Sequence, residues 1–155
     1  MPAVVIGVTG HRKLQNQPGL AKQVRATLER LGPLIFSVSN APVMFSALSP
    51  LAEGADRLVV HEVLNHIDSQ LDVVLPLDKA DYLQDFKTAD CKAEFEQLFS
   101  EARSITQLPP TGTRNESYAQ AGPLCSRSLR SADCALGRQA GGRGGRHSRH
   151  CGVCQ

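Results

Sequence analysis

Two short loops carry the side chains that could do chemistry. The first is Gly7–Arg12 (GVTGHR), which places the Thr9 hydroxyl, the His11 imidazole and the Arg12 guanidinium around Gly10. Glycine lets the backbone approach a ligand, and an arginine beside a hydroxyl and an imidazole suits a phosphate or a ribose. The loop lacks the Gly-x-Gly-x-x-Gly spacing and the lysine of a P-loop. Its residues therefore predict either a ligand contact or no more than the turn that follows a strand.

The second loop is Leu51–Arg57 (LAEGADR), which opens a predicted helix. The first N–H groups of a helix have no partner within it, so they favour an anion, and Gly54 permits its close approach. The alternative is that Glu53 and Asp56 only complement the positive end of the helix dipole. The candidate nucleotide- or phosphate-binding residues come from both loops: Thr9, Gly10, His11, Arg12, Glu53, Gly54 and Asp56.

Alternating strands and helices position these loops. Short apolar runs predict strands at residues 3–8, 43–48, 71–77 and 104–108. Apolar residues at helical spacing predict helices at 18–31, 53–67 and 89–103, a short turn at 79–86 and a further helix from 114. Gly32 and Pro33 predict the end of the first helix. The alternation predicts an α/β fold, a three-layer Rossmann-like parallel sheet with helices on both faces, whose ligands bind at the carboxyl ends of the strands.

The composition changes abruptly at residue 123. Residues 1–122 hold 11 Lys and Arg against 14 Asp and Glu, a net charge of −3, whereas residues 123–155 hold 6 Arg and 1 Asp, a net charge of +5. The second segment has no Ile, Phe or Tyr, and its Gly-Arg alternation cannot form a core. We therefore predict an incomplete, truncated domain over residues 2–122 and a disordered Arg-, Gly- and Cys-rich tail over residues 123–155.

Taken together, the two loops resemble a known family. A GVTGHR loop after the first strand, followed by AEGADR after the second, resembles the SLOG superfamily. This Rossmann-like group includes the Lonely Guy phosphoribohydrolases and DNA-processing protein A, and the nearest match is its prokaryotic branch of nucleotide-ligand sensors. Further matching segments are Val74–Leu77, Tyr82–Phe86 and Arg114–Ala119, so the resemblance spans about residues 3–122.

The resemblance implies a nucleotide or nucleotide-derived ligand at the carboxyl edge of the sheet, and we expect no cofactor. Thr9–Arg12 would line it, with Glu53, Gly54 and Asp56 opposite. Further candidates are Tyr82, Asp85, Arg114 and Tyr118, although the two tyrosines are equally compatible with packing. The Gly-Gly-x-Gly-Thr-x-x-Glu pattern of the hydrolytic members is missing, so catalytic residues stay unassigned. The resemblance favours a ligand sensor or, alternatively, an N-glycosidic nucleotide hydrolase that is inactive in this truncated form.

The tail is compatible with a slip of reading frame near residues 122–123. If each true codon takes the last two bases of one printed codon and the first base of the next, residues 135–140 can read LWDGKP. Residues 123–129 can likewise read RYVVDRC, and residues 141–148 AGGEGGTA, which supplies the missing Gly-Gly-Thr loop. A match over this many codons in one frame is hard to obtain by chance. We therefore expect a one-base insertion, and resequencing the locus would test it.

Two other functions for the tail are disfavoured. Two His and two Cys lie within His147–Cys154, but structural zinc sites place paired ligands at opposite ends of a folded loop, so no metal is predicted. An Arg-Gly segment could contact RNA, yet this one has no aromatic residues to stack on bases. No apolar stretch approaches the ~20 residues of a membrane span, and no targeting signal is visible. We expect a cytoplasmic protein without a membrane or nucleic-acid partner, with self-association left open.

Overall fold

The computed structural model describes residues 3–8, 10–109 and 112–121. Within those residues the strands are Ala3–Gly7 (β1), Met44–Ser49 (β2), Ser69–Leu75 (β3) and Ser104–Gln107 (β4). They form one all-parallel sheet in the order β1-β2-β3-β4. The strands predicted from the sequence are confirmed, with small shifts at their ends.

The helices of the described residues lie in the connections and after β4. They are Gln17–Ser39 (α1), Ala55–Leu64 (α2), Lys79–Leu83 (α3), Ala89–Glu101 (α4) and the helical residues 114–121 (α5). Side chains cap four of them, and at the start of α5 Thr113 accepts from the Glu116 amide at 3.3 Å. Asn16 accepts from Gly19 at 3.3 Å, Asp78 from Ala80 at 3.1 Å, and Thr88 from the Cys91 amide at 3.2 Å. α2 differs, because its N-cap has no side chain.

The prediction for the end of the first helix was wrong. α1 continues through Pro33 to Ser39 and ends at Asn40, which adopts a left-handed conformation (φ 49°) and donates its amide to Phe36. Proline within a helix removes one backbone hydrogen bond and costs about 3 kcal/mol. The turns beyond it nevertheless persist, and Ser37 and Ser39 donate their hydroxyls to helix carbonyls. A proline in the sequence adds a local cost in free energy to the helix. The hydrogen bonds of the turns that follow can outweigh this cost.

The main core lies on one face of the sheet. It joins inward residues of β2 and β3 to α1, α2 and α4: Leu28, Phe45, Ala47, Val60, Val63, Leu71, Val73, Leu75, Phe95 and Leu98. Because successive parallel crossovers run in one direction across the sheet, right-handed connections place their helices on the same face. The other face carries a smaller cluster of Leu48, Val74, Leu108 and Ala121.

α5 links the two faces, since Tyr118 packs against the main core and Ala121 belongs to the smaller cluster. The predicted α/β, Rossmann-like parallel fold is confirmed. Of the helices predicted on both faces, α1, α2 and α4 pack on one face and α5 reaches the other. The connections after β1, β2 and β3 all lie at the carboxyl edge of the sheet, as does the N-terminus of α2. The predictions for Thr9 and for the tail at residues 123–155 lie outside the described residues.

Candidate functional site

The two predicted loops touch each other. The amide of Ala55, the first residue of α2, donates to the carbonyl of His11 at 3.2 Å. Gly54 has φ 89°, and a Cβ there would collide with the carbonyl oxygens of both His11 and Arg12. A Cβ on Gly10 would likewise collide with the Ala55 side chain. The first loop therefore replaces the side-chain cap of α2, and glycine is required on both sides of the contact.

The second loop is tightly folded on itself. Leu51 is fully buried in a left-handed conformation with φ 58°, and its amide donates to the Ser49 hydroxyl at 3.0 Å. The Asp56 carboxylate turns back into the same loop. Burial raises the pKa of Asp56 to about 6, against the hydrogen bonds from Ala52 and Ser49, which lower it. Strained backbone of this kind persists only where the surrounding structure holds it, and it clusters at ligand sites.

Arg57 is the buried centre of the region, with 2% of its surface exposed. Its Nε donates to the Leu51 carbonyl at 3.0 Å, and its Nη1 donates to the Cys91 carbonyl at 2.8 Å and to Glu94 at 2.7 Å. The guanidinium also lies 4.6 Å from the centre of the Phe86 ring. A single arginine thus joins the second loop to α4.

Glu94 connects that arginine to a histidine. Its second oxygen lies 2.9 Å from Nε2 of His61, and both side chains are partly exposed. Burial alone would raise the pKa of Glu94, but hydrogen bonds from Arg57 and His61 outweigh it and lower the pKa. Glu94 is therefore an ionised partner of both groups.

These residues border a cleft of about 390 Å³, which we call the carboxyl-edge cleft. It lies between the first loop, the start of α1, α2 and the start of α4, within the size range of small-molecule sites. Its lining is Arg12, Gln17, Ala21, Glu53, Gly54, Arg57, Leu58, His61, Glu62, Cys91 and Glu94.

Buried polar atoms without partners mark this region. Across the part of the chain that the structure describes, they are Oε1 of Glu53, Nη2 of Arg57 and the hydroxyl of Tyr82. Buried polar groups are nearly always hydrogen-bonded, so each such atom calls for a water or ligand partner. Glu53 and Arg57 both line the carboxyl-edge cleft.

A second polar group borders the first loop. The Tyr118 hydroxyl bonds to Asp85, Arg114 pairs with the same carboxylate at 3.1 Å, and the Arg12 guanidinium lies 5.7 Å from the Tyr118 ring centre. Burial, followed by the contact with Asp85, raises the pKa of Tyr118 to about 12. Tyr82 instead packs in the core against Phe86 and Phe95, and its burial also raises its pKa.

The structure divides the predicted site residues into three groups. Arg12, Glu53 and Gly54 line the cleft. Gly10 and His11 contribute close backbone packing rather than lining, and Asp56 is buried behind the cleft with 7% exposure. Thr9 lies outside the described residues.

Sequence reasoning missed Arg57, His61 and Glu94 as site residues. Arg57 stood within the second motif, four residues after Glu53, and that spacing was the available signal. His61 follows it by one helical turn on α2. Glu94 comes from a different helix, and no spacing within the sequence could have placed it beside them.

No protein-family model matches the chain, and no curated protein matches it. The SLOG resemblance therefore depends on the motifs alone. None of the described residues form a cluster of three His, Cys, Asp or Glu side chains suited to a metal ion. Among the helices that the structure describes, none has the length and apolar character needed to cross a bilayer.

Proposed function

We propose that the chain binds a nucleotide or nucleotide derivative at the carboxyl-edge cleft, as the SLOG resemblance implies. The observation that carries this proposal is the contact between the two motif loops, in which Gly54 packs on the carbonyls of His11 and Arg12. Two segments separated by some forty residues of sequence thereby form one wall of one cleft.

The phosphate belongs at the mouth of the cleft, beside Arg12. This guanidinium is exposed and lies beside the Tyr118 ring, whereas the Arg57 guanidinium is buried and already bound to Glu94. Arginine pairs with phosphate through two parallel hydrogen bonds, which are among the strongest in proteins. The positive end of the α2 dipole adds to the attraction.

A thermal-shift titration of the full chain with the four ribonucleoside monophosphates tests the proposal. We expect Arg12→Ala to weaken binding of the preferred nucleotide roughly tenfold, since one charge-assisted contact is lost. Lys13→Ala is the matched control, because it removes an adjacent exposed cation that is not among the described lining residues of the cleft. The proposal fails if no nucleotide raises the melting temperature or if both variants behave alike.

Hydrolysis of the N-glycosidic bond is the second candidate, favoured by one observation. Oε1 of Glu53 has no partner within the described residues although it is buried at the cleft. A carboxylate there would accept a proton from the attacking water, or stabilise the positive charge that develops on the ribose as its bond to the base breaks. Chromatography for released nucleobase tests this, with Glu53→Gln expected to abolish release while binding persists. Binding without release supports the sensor instead.

A further inference from the structure

We infer that the cleft holds its ligand by a neutral sugar diol between Glu53 and Arg57, and so selects ribosyl over 2-deoxyribosyl phosphates. This rests on the proposed function and specifies how the same cleft recognises its ligand. The starting observation is the pair of buried atoms that lack partners among the described residues, an acceptor on Glu53 and a donor on Arg57.

The two atoms require opposite hydrogen-bonding groups on the ligand. A carboxylate oxygen must receive a hydrogen bond, whereas a guanidinium N–H must give one. A phosphate would satisfy Arg57, but its charge would be repelled by Glu53. An ammonium group would satisfy Glu53 and be repelled by Arg57. A hydroxyl both donates and accepts and carries no charge, so a vicinal diol satisfies both atoms at once.

The other charged residues of the cleft also favour an uncharged hydroxyl group in its interior. Glu62 pairs with Arg25 at 2.8 Å, and Glu94 pairs with Arg57 and His61. Those two carboxylates are already paired with cations, so it is the Glu53 carboxylate, with an unpartnered oxygen within the described residues, that makes the interior a poor place for phosphate oxygens. Arg12, the exposed guanidinium of the lining, takes the phosphate, and the interior is left to an uncharged polar group.

Hydrogen bonds hold the buried Arg57 guanidinium in one orientation. Its Nε and Nη1 are held by the carbonyls of Leu51 and Cys91 and by Glu94, and its Cζ lies 4.6 Å from the centre of the Phe86 ring. Nη2 is therefore fixed in direction, as a selective contact requires. A site that is preorganised in this way rejects an analogue without the matching hydroxyl, because its own buried groups are then left unpaired.

Calorimetric titration of the full chain with each ribonucleoside monophosphate and its 2′-deoxy counterpart tests the inference. We expect the preferred ribonucleotide to bind at least roughly tenfold more tightly than its deoxy form. Glu53→Ala should bring this ratio close to one. Glu101→Ala, which removes an exposed carboxylate at the far end of α4, should leave the ratio unchanged.

The possible failures are distinguishable. Equal binding of both sugars by the unmodified chain would mean that water alone bridges Glu53 and Arg57, which overturns the inference and leaves the proposed function standing. Binding of no nucleotide overturns both. Because the ratio is first measured on the unmodified chain, poor folding of a variant cannot obscure the answer.

Discussion

The carboxyl-edge cleft can be compared with a cleft at the opposite edge of the same sheet. This amino-edge cleft has about 490 Å³ and is therefore the larger of the two, and Glu62 borders both. It is lined by Arg25, Glu29, Val43, Phe45, Glu62, Asn65, His66, Ile67 and Asp68. If volume were the criterion, the amino-edge cleft would be the better candidate site of the two.

The two clefts differ in how their polar groups are satisfied. At the amino edge, Arg25 donates two hydrogen bonds to Glu62, at 2.8 and 3.1 Å, so the two charged groups satisfy each other. At the carboxyl edge, buried atoms of Glu53 and Arg57 lack partners within the described residues, and Leu51 of the second loop adopts a left-handed conformation that is strained for a residue with a Cβ. Unmet hydrogen bonds and strained backbone, rather than volume, distinguish the candidate site.

The largest expected effect is at Arg57. Arg57→Met should lower the free energy of unfolding by about 3 kcal/mol, because the buried Leu51 and Cys91 carbonyls lose their donor and the link to Glu94 disappears. Urea denaturation followed by circular dichroism measures the change. A loss below 1 kcal/mol would mean that the buried arginine does not hold the carboxyl edge together.

Gly54→Ala should cost about 2 kcal/mol, because alanine is strained at φ 89° and its methyl group would push the first loop away. Gly32→Ala is the matched control. Gly32 lies within α1, and a Cβ there meets nothing within 4 Å. That change should stabilise the chain by about 0.5–1 kcal/mol. Similar melting temperatures for the two variants would contradict the close contact of the loops.

Asp56 predicts a dependence of stability on pH. Its folded-state pKa of about 6 exceeds the ordinary 3.8, so folding favours the protonated form. The stabilising contribution is complete below about pH 4 and is lost as the pH rises through 6, a change of about 3 kcal/mol in all, of which about 2 kcal/mol falls between pH 4.5 and 7.5. Asp72 and Glu94, whose pKa values are lowered, act at lower pH and in the opposite direction.

Denaturation of the unmodified chain and of Asp56→Asn between pH 4.5 and 7.5 isolates this contribution. The difference in stability between the two chains should shift steadily in favour of the variant as the pH rises. A difference that stays constant over this interval would show that Asp56 is ionised throughout it.

The smallest effect is expected at the amino-edge cleft. Arg25 is half exposed and its pairing with Glu62 is screened by solvent, so Arg25→Met should hardly change the melting temperature and should leave any nucleotide-induced melting shift intact. If this variant lost the nucleotide-induced melting shift, the nucleotide would bind at the amino-edge cleft, and the assignment of the site to the carboxyl-edge cleft would be wrong.

The elements were largely predictable because each rests on a local pattern. The apolar runs that became β1 to β4 and the helical spacing of α2 and α4 are signals within a few residues. The end of α1 was predicted wrongly, because the cost of Pro33 is local whereas the continuation of a helix depends on all of its turns. Arg12, Glu53 and Gly54 were found from motif position alone, at the ends of predicted strands.

The sequence by itself determined the parallel α/β fold and the edge at which its loops meet, because hydrophobic period and the direction of crossovers follow from residue order. Only the tertiary structure decided which loop side chains reach the cleft. Asp56 was turned inward by Ala52 and Ser49, and Arg57 was buried through partners on α4. Such outcomes depend on hydrogen bonds between segments far apart in the chain, and no local pattern encodes them.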